Sequence, residues 1–252
     1  MNQRLISAVL SCGDQYCGEI LLTNHMENGA YTPDQLRQDW RKALRFFFDR
    51  AFYQGRRDVI SAKVLEAACQ VLDPDLFSPT TIDLNDDAFM DHLLVRLQQY
   101  IGKGKIGKAR DIEMVGSALR FLRELPDWNI VAWSLARIGA GEVREHFFDL
   151  QKIVQIGPKI ASFYTRDVVA AFGLEGNIPF DQQKYLQPVD VWVRRFAEKV
   201  MSVPAGASDN RIQEAIVELC ANRECSAVKF NQGIWYLGYN AFDILLETLS
   251  AE

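Results

Sequence analysis

The sequence is poor in cysteine and histidine, which narrows the kinds of site that it can contain. Its 252 residues include 5 cysteines and 3 histidines. An odd cysteine count in a chain of this size argues against a disulfide framework. Two pairs have C-x4-C spacing without a nearby histidine, whereas zinc and iron–sulfur sites favour C-x2-C spacing and four ligands. We therefore expect buried free thiols, no metal and no cofactor; the alternative, a metal site, would use Cys12, Cys17, Cys69, Cys220 or Cys225.

The sequence also lacks a long apolar run. The N-terminal MNQRLISAVLSC has one basic residue and an apolar stretch interrupted by Ser7, a pattern too weak for a signal peptide, and no later segment approaches a membrane span. Hydrophobic residues make up 48% and charged residues 24% of the chain, as in globular proteins with one large or two modest cores. We expect a cytoplasmic monomer without a membrane partner.

Acidic residues are in slight excess, but the basic residues are clustered. Taken alone, the net charge of −5 argues against a nucleic-acid partner. The segment 101–110 nevertheless carries Lys105, Lys108 and further basic residues without any acid, and 41–63 is also mainly basic. Such segregation is typical either of solvated helix faces or of a basic face that contacts phosphate. The sequence GKGKIGKA at 102–109 lacks the terminal hydroxyl of a nucleotide-binding loop, but a basic glycine-rich turn can approach a phosphate backbone closely.

Helical periodicity dominates the chain. Apolar residues recur at intervals of three and four, as they do between Trp40 and Phe52. Two short segments, Leu5–Leu10 and Ile20–Thr23, have the composition of strands. The pattern as a whole predicts an all-α protein, with helices near 40–52, 59–72, 86–100, 111–125, 128–138, 141–154, 158–172, 190–201, 209–221 and 226–250.

The stretch IVQIGPKIASFYTRDVV, residues 153–169, contains the first chemical signal. Its pattern predicts a short helix, a turn at 155–157 and a second helix that starts at Pro158, where the missing N–H costs nothing. Free backbone N–H groups at such a helix start can bind phosphate. The helix dipole there disfavours the Lys159 ammonium by a few tenths of a kcal/mol and favours the neutral, nucleophilic amine. The alternative is a surface lysine that binds phosphate.

Asp190 is the second signal and stands in QPVDVWVRRF. It follows Pro188 closely and precedes an apolar-periodic helix, so we predict that it caps this helix, a role worth about 1 kcal/mol. A capping carboxylate accepts backbone N–H bonds, and we therefore expect a low pKa and a charged side chain. A fixed carboxylate that faces a lysine amine can take its proton and stabilise a developing sugar cation.

Together these two motifs resemble the helix-hairpin-helix DNA glycosylases. IVQIGPKIA followed by PVDVWVRR is similar to that superfamily's hairpin, with its lysine, and to its downstream aspartate motif. The resemblance covers about residues 40–200 and is strongest to the archaeal-type 8-oxoguanine glycosylases, which share the long link between hairpin and aspartate. It implies that Lys159 and Asp190 are catalytic. In the weaker match AFYQGRRDV, Gln54 falls on a family glutamine that would fill the gap left by a flipped base.

The resemblance also implies a fold and a reaction. The fold would have two helical domains with a DNA-binding cleft: 40–172 as a barrel that ends in the helix-hairpin-helix motif at about 148–171, and 1–39 plus 173–252 carrying the aspartate. The reaction would be that of a nucleoid-associated, bifunctional DNA glycosylase and abasic-site lyase. Such an enzyme removes an oxidised base, foremost 8-oxoguanine, from double-stranded DNA through a lysine Schiff base and β-elimination, without a metal. The implied DNA contacts are Gln54, Lys105, Lys108, Lys152, Gln155 and Gly157.

Three features depart from the family pattern. Gln155 replaces the first hairpin glycine, Trp192 replaces the common histidine after the aspartate, and EGNIPFDQQKYLQ lengthens the link between Lys159 and Asp190. Two other functions stay open: a non-catalytic helix-hairpin-helix DNA-binding protein, or a helical interaction module in which Lys159 and Asp190 are surface and cap residues. The pairing of lysine with aspartate argues against the first, and the segregated basic stretches argue against the second.

Overall fold

The chain is helical wherever its structure is described. The computed structural model describes residues 3–53, 58–71, 87–101 and 109–250. Within these ranges helices are joined by turns and there is no β-strand, so the predicted all-α class is confirmed. No helix in the described ranges combines the length and the apolar character needed to cross a bilayer.

In chain order the helices are α1 (Gln3–Gln15), α2 (Pro33–Gln38), α3 (Trp40–Ala51), α4 (Asp58–Val71), α5 (Asp87–Ile101), α6 (Ala109–Arg123), α7 (Ile130–Gly139), α8 (Val143–Leu150), α9 (Pro158–Ala171), α10 (Val191–Val200), α11 (Asp209–Asn222) and α12 (Ala227–Ser250). The ten predicted helices are present from α3 onward, whereas α1 and α2 were not predicted as helices. Helices α9 to α12 lie within one residue of their predicted bounds, but the helix predicted at 141–154 ends at Leu150. Short 3-10 segments occur at Asn24–Met26, Pro126–Trp128, Glu175–Asn177 and Phe180–Leu186.

The two segments with strand-like composition are helical or turn instead. Leu5–Leu10 lies inside α1, and Ile20–Thr23 begins in a π-helical turn, Tyr16–Leu21, and continues as a turn. The strand interpretation was wrong because the apolar residues of α1 also fit a helical spacing. Two of them, Leu5 and Val9, are four residues apart and are both buried on one helix face.

The chain divides into two compact units. The first contains both ends of the chain, is called the terminal unit below, and comprises Met1–Pro33, Arg137–Phe147 and Pro158–Glu252. The second, called the central unit, comprises Asp34–Ala136 and Phe148–Gly157. The predicted domains, 40–172 and 1–39 plus 173–252, stay a prediction. The compact units differ from them by grouping α9 with the two chain ends rather than with the middle of the chain.

Close helix packing organises the terminal unit around α12. A Cβ atom on Gly233 of α12 would lie 1.9 Å from the Val9 carbonyl oxygen, so only glycine lets α1 and α12 approach this closely. A Cβ atom on Gly238 would lie 2.3 Å from Cγ of Trp192, in the first turn of α10. The start of α10, and with it Asp190, is therefore held against α12 by side chains packed on a glycine.

The central unit is built on an aromatic helix, α3. Asp39 caps this helix, since its Oδ1 accepts the N–H of Arg41 at 2.9 Å and the N–H of Lys42 at 3.3 Å. Helix α3 packs against α4, which packs against α5. The fully buried aromatic side chains of this unit include Phe46, Phe47, Phe48 and Phe52.

Candidate active site

Asp190 caps helix α10, as its position in the sequence predicts. Its Oδ1 accepts hydrogen bonds from the N–H groups of Trp192 at 2.9 Å and Val193 at 2.8 Å. These amides lie in the first turn of the helix, where no intrahelical carbonyl can accept their hydrogen bonds. The cap therefore fixes the carboxylate in position through one of its two oxygens.

Lys159 lies in the first turn of α9, next to Pro158. The helix begins at Pro158, which confirms its predicted start, and the Lys159 side chain is exposed. The positive charge of Lys159 acts on the Asp190 carboxylate and lowers its pKa. Two residues that are remote in sequence thus lie within electrostatic reach of each other inside the terminal unit.

Burial changes the acid–base character of Asp190. It raises the pKa of the carboxyl group above its ordinary value of 3.8, so the prediction of a low pKa was wrong. The N–H bonds from Val193 and Trp192 and the charges of Lys159 and Arg166 all lower the pKa, but burial outweighs them. The predicted helix cap is therefore present. The burial of the carboxylate, however, depends on tertiary packing, which the local sequence does not specify.

A buried charged network lies close to Asp190. The Arg166 guanidinium donates to Asp167 at 2.9 and 3.0 Å, to the Tyr16 hydroxyl at 2.7 Å and to the Asn231 side-chain oxygen at 2.9 Å. Tyr16 donates to Asp167 at 2.9 Å. Burial by itself lowers the pKa of Arg166, but Asp167, Tyr16 and Asp190 raise it above its ordinary value. This network has no signature in the sequence, because its members come from three separate parts of the chain.

The segment that leads to Asp190 is buried and follows directly on the 3-10 segment that ends at Leu186. Residues 186–189 are all buried. Its carbonyl groups therefore need partners within the protein. The Gln213 side chain donates to the Gln187 carbonyl at 2.9 Å, and the Asn231 side chain donates to the Pro188 carbonyl at 3.3 Å. Helices α11 and α12 thus anchor the chain just before the cap.

Aromatic rings lie near Lys159 in the terminal unit. Phe163 is four residues after Lys159, which places both on one face of α9. The Phe163 ring centroid is 6.4 Å from that of Trp235, and Trp235 stacks on Tyr239 at 5.4 Å with an interplanar angle of 6°. Phe163 and Trp235 are partly exposed and Tyr239 is exposed. The helical spacing from Lys159 identifies Phe163 from the sequence, whereas Trp235 and Tyr239 are brought there by the packing of α12 on α9.

The turn before α9 contains a residue in a conformation that favours glycine. Gln155 has a φ of 68°, in the left-handed region where a side chain costs about 1 kcal/mol. Gln155 thus adopts a backbone conformation that glycine would adopt more easily. Gly157 donates its N–H to the Gln155 carbonyl at 3.1 Å, and Lys152 pairs with Asp149 at 2.6 Å. The helix-hairpin-helix assignment and the phosphate contacts of these residues stay predictions.

Three of the predicted DNA contacts, Gln54, Lys105 and Lys108, lie outside the residues that the structure describes. Their roles stay predictions, as does the role of the basic segment 101–110. The two predicted catalytic residues, Lys159 and Asp190, lie within electrostatic reach of each other although they are remote in sequence.

The five cysteines are free thiols. None of the five forms a disulfide, and Cys220 is the one that is fully buried, so the expectation of buried thiols holds for Cys220 alone. Burial and the neighbouring Cys225 thiol raise the pKa of Cys220, which makes the reactive thiolate scarce. Among the described residues, no three His, Cys, Asp or Glu side chains come together in a group that could hold a metal ion.

Comparisons with protein-family models, curated proteins and solved structures find no match for this chain. Any functional conclusion must therefore come from the site itself. The features available are an exposed lysine, a capped carboxylate with a raised pKa and a buried network that holds the surrounding backbone.

Proposed function

We propose that this protein is a bifunctional DNA glycosylase and abasic-site lyase that acts on an oxidised base, foremost 8-oxoguanine, in double-stranded DNA. One observation carries the proposal: the exposed Lys159 lies within electrostatic reach of Asp190, which two backbone N–H groups hold in place. The sequence resemblance supports it, with a helix-hairpin-helix motif at about 148–171 in a protein of two helical domains.

The chemistry proceeds through a covalent bond to Lys159. The neutral Nζ forms a bond to C1′ of the damaged nucleotide while the bond from C1′ to the base breaks and the base takes the electron pair. Asp190 takes a proton from the Lys159 ammonium before this attack, which frees the Nζ lone pair, and the departing base takes the proton that the newly bonded amine then loses. The sugar ring then opens to a Schiff base between Nζ and C1′. Loss of a C2′ proton expels the 3′ phosphate and cuts the strand.

The raised pKa of Asp190 supports its role as the base in this sequence. A general base works best when its pKa lies near the working pH, because it must be ionised and still attract the proton. A fully solvated aspartate is a weak base at neutral pH. Burial raises the pKa of Asp190 toward that range, while Lys159 and the capping N–H groups keep a stabilising influence on the ionised form.

The surroundings of Lys159 suit an unpaired base. A nucleotide must leave the helical stack before its C1′ can be attacked, and aromatic rings compensate for the lost stacking. Phe163, four residues after Lys159 on α9, and Trp235 of α12, whose ring centroid is 6.4 Å from that of Phe163, offer partly exposed rings. In the proposed complex, Lys152, Gln155 and Gly157 contact the DNA backbone with Lys105 and Lys108, and Gln54 fills the gap in the duplex.

Borohydride trapping tests the nucleophile. Borohydride reduces a Schiff base to a stable amine, so the wild-type protein should become covalently joined to a duplex that contains 8-oxoguanine. Lys159→Ala should abolish trapping and retain DNA binding. Lys199→Ala, which removes an exposed lysine of α10 in the same unit, should trap like the wild type. Trapping that persists in Lys159→Ala would show that another residue is the nucleophile.

A panel of lesion duplexes tests the substrate. We expect excision of 8-oxoguanine to be faster than excision of an undamaged guanine or of a deaminated base. If the wild type traps an abasic site but excises no damaged base, the lyase assignment survives and the lesion assignment fails. If it binds duplex DNA and neither excises a base nor is trapped, the protein is a non-catalytic DNA-binding protein.

A further inference from the structure

Asn231 links the buried charged network to the chain segment before Asp190. Its side-chain oxygen accepts a hydrogen bond from Nη1 of Arg166 at 2.9 Å, and its side-chain nitrogen donates to the Pro188 carbonyl at 3.3 Å. Both Asn231 and Arg166 are fully buried. Neither bond can be exchanged for a bond to water without opening the interior of the terminal unit.

The partners of Asn231 fix which way its amide group points. A guanidinium has donors only and a carbonyl oxygen is an acceptor only. The amide oxygen must therefore face Arg166 and the amide nitrogen must face Pro188, because the reversed orientation would oppose donor to donor and acceptor to acceptor. Arg166 is itself immobilised by its bonds to Asp167 and Tyr16.

We propose that Asn231 is a positioning residue for Asp190. It holds the Pro188 carbonyl, two residues before the cap, and so fixes where the chain enters α10. This inference rests on the proposed function, because it assigns Asn231 a part in the reaction of Lys159 with Asp190. The hydrogen bonds of the Asn231 side chain go to Arg166 and to the Pro188 carbonyl, and the positioning role runs through the second of these.

Small displacements of a reacting group have large effects on rate. A misplacement of about 1 Å can lower a rate about 100-fold even when the altered residue is remote from the chemistry. Without the bond from Asn231, the buried Pro188 carbonyl loses a donor from α12, and residues 186–189 must shift to find another. The Asp190 carboxylate moves with that segment, since it directly follows it.

Two variants remove the hydrogen bond from Asn231 to the Pro188 carbonyl in different ways. Asn231→Asp keeps the shape of the side chain and an acceptor for Arg166 but loses the donor to Pro188. Asn231→Leu loses both bonds and adds no charge. The matched control is Gln232→Leu, which alters the next residue of α12 and the same network, where Gln232 donates to Asp167 at 3.5 Å, but leaves the Pro188 carbonyl bond intact.

The first measurement is independent of activity. The N–H groups of Trp192 and Val193 are protected from hydrogen exchange by Asp190, so their exchange rates report how firmly the cap is held. Both Asn231 variants should exchange at these two amides at least about 10-fold faster than the wild type. Gln232→Leu should leave the two rates within about 3-fold of wild type, although its melting temperature falls.

The second measurement separates positioning from substrate binding. In single-turnover excision, the maximal rate of both Asn231 variants should fall about 10- to 100-fold with little change in the substrate concentration at half-saturation. Gln232→Leu should retain most of the wild-type rate. If Asn231→Leu and Gln232→Leu lose the same fraction of the maximal rate, Asn231 contributes only to the stability of the fold. That result would overturn the inference.

The outcomes distinguish this inference from the proposed function. Unchanged exchange at Trp192 and Val193 in folded Asn231→Asp overturns the positioning role, whatever the activity. If the wild-type protein neither excises a base nor is trapped on an abasic site, the proposed function is wrong. Asn231 would then position Asp190 without a role in catalysis. Accelerated exchange in both Asn231 variants, together with a loss of rate that Gln232→Leu does not show, supports both.

Discussion

Asp39 and Asp190 have the same structural role in the two units of the molecule. Each precedes a helix, and the Oδ1 atom of each accepts two N–H bonds from the first turn, at 2.9 and 3.3 Å for Asp39 and at 2.9 and 2.8 Å for Asp190. As caps the two residues are equivalent, and the local sequence suits this role at both positions.

Asp39 and Asp190 differ in the groups that surround them, because residues from other helices lie close to Asp190. Lys159 and Arg166 reach it from α9, and burial raises its pKa. Asn231 of α12 and Gln213 of α11 hold the segment that leads to it. A helix cap is thus a local property, whereas the reactivity of a capping carboxylate depends on groups that only folding brings near it.

The largest expected effect is on the excision rate. It comes from removing the carboxylate charge of Asp39 or of Asp190 while keeping a residue that can cap the helix. Asparagine caps a helix about as well as aspartate. Asp190→Asn should therefore lower the single-turnover excision rate by about 100- to 10,000-fold, the usual contribution of a general base. Asp39→Asn is the matched variant and should excise at the wild-type rate. Equal rates in the two variants would remove the functional distinction between the aspartates.

The next effect is on stability and should appear in both units. Asp39→Ala loses two capping bonds, and the free energy of unfolding should fall by about 1 kcal/mol in urea denaturation. Asp190→Ala should cost less than Asp39→Ala, because it also removes a carboxylate that is partly buried. A larger loss for Asp190→Ala would mean that its attraction to Lys159 and Arg166 outweighs the penalty of burial.

A smaller effect is the pH dependence of stability. Because the pKa of Asp190 is raised in the folded state, the folded protein keeps this proton at pH values where the unfolded chain has lost it. The stabilisation from Asp190 is therefore full below its ordinary pKa of 3.8 and is lost as the pH rises through the higher folded pKa. Relative to Asp190→Asn, the wild type should lose stability over that interval in urea unfolding at a series of pH values. The opposite slope would contradict the raised pKa.

The smallest expected effect is the influence of the Lys159 charge on the pKa of Asp190. The Lys159 charge lowers the pKa of Asp190, so Lys159→Met should raise that pKa further. The carboxyl carbon of Asp190 can be followed through its titration by NMR, with Lys199→Met as the control for loss of an exposed lysine. An unchanged Asp190 titration in Lys159→Met would show that the two groups are not coupled.

Much of this architecture is predictable from local patterns. The helical class, the start of α9 at Pro158 and the cap at Asp190 all follow from spacing and from the residue types at helix ends, and the structure confirms them. The same patterns gave a wrong result for Leu5–Leu10, because a short apolar run fits either a strand or a buried helix face. The left-handed φ of Gln155 was also unforeseen, since the side chain itself disfavours it.

The sequence by itself determined that most of the chain is helical, which residue caps α10 and which lysine lies in the first turn of α9, because those features depend on neighbours within about one helical turn. Only the tertiary structure decided that Lys159 acts on Asp190, that burial raises the pKa of this carboxyl group, and that Arg166 and Asn231 connect three parts of the chain. Burial and the separation of remote charges depend on how helices pack, and no local periodicity encodes them.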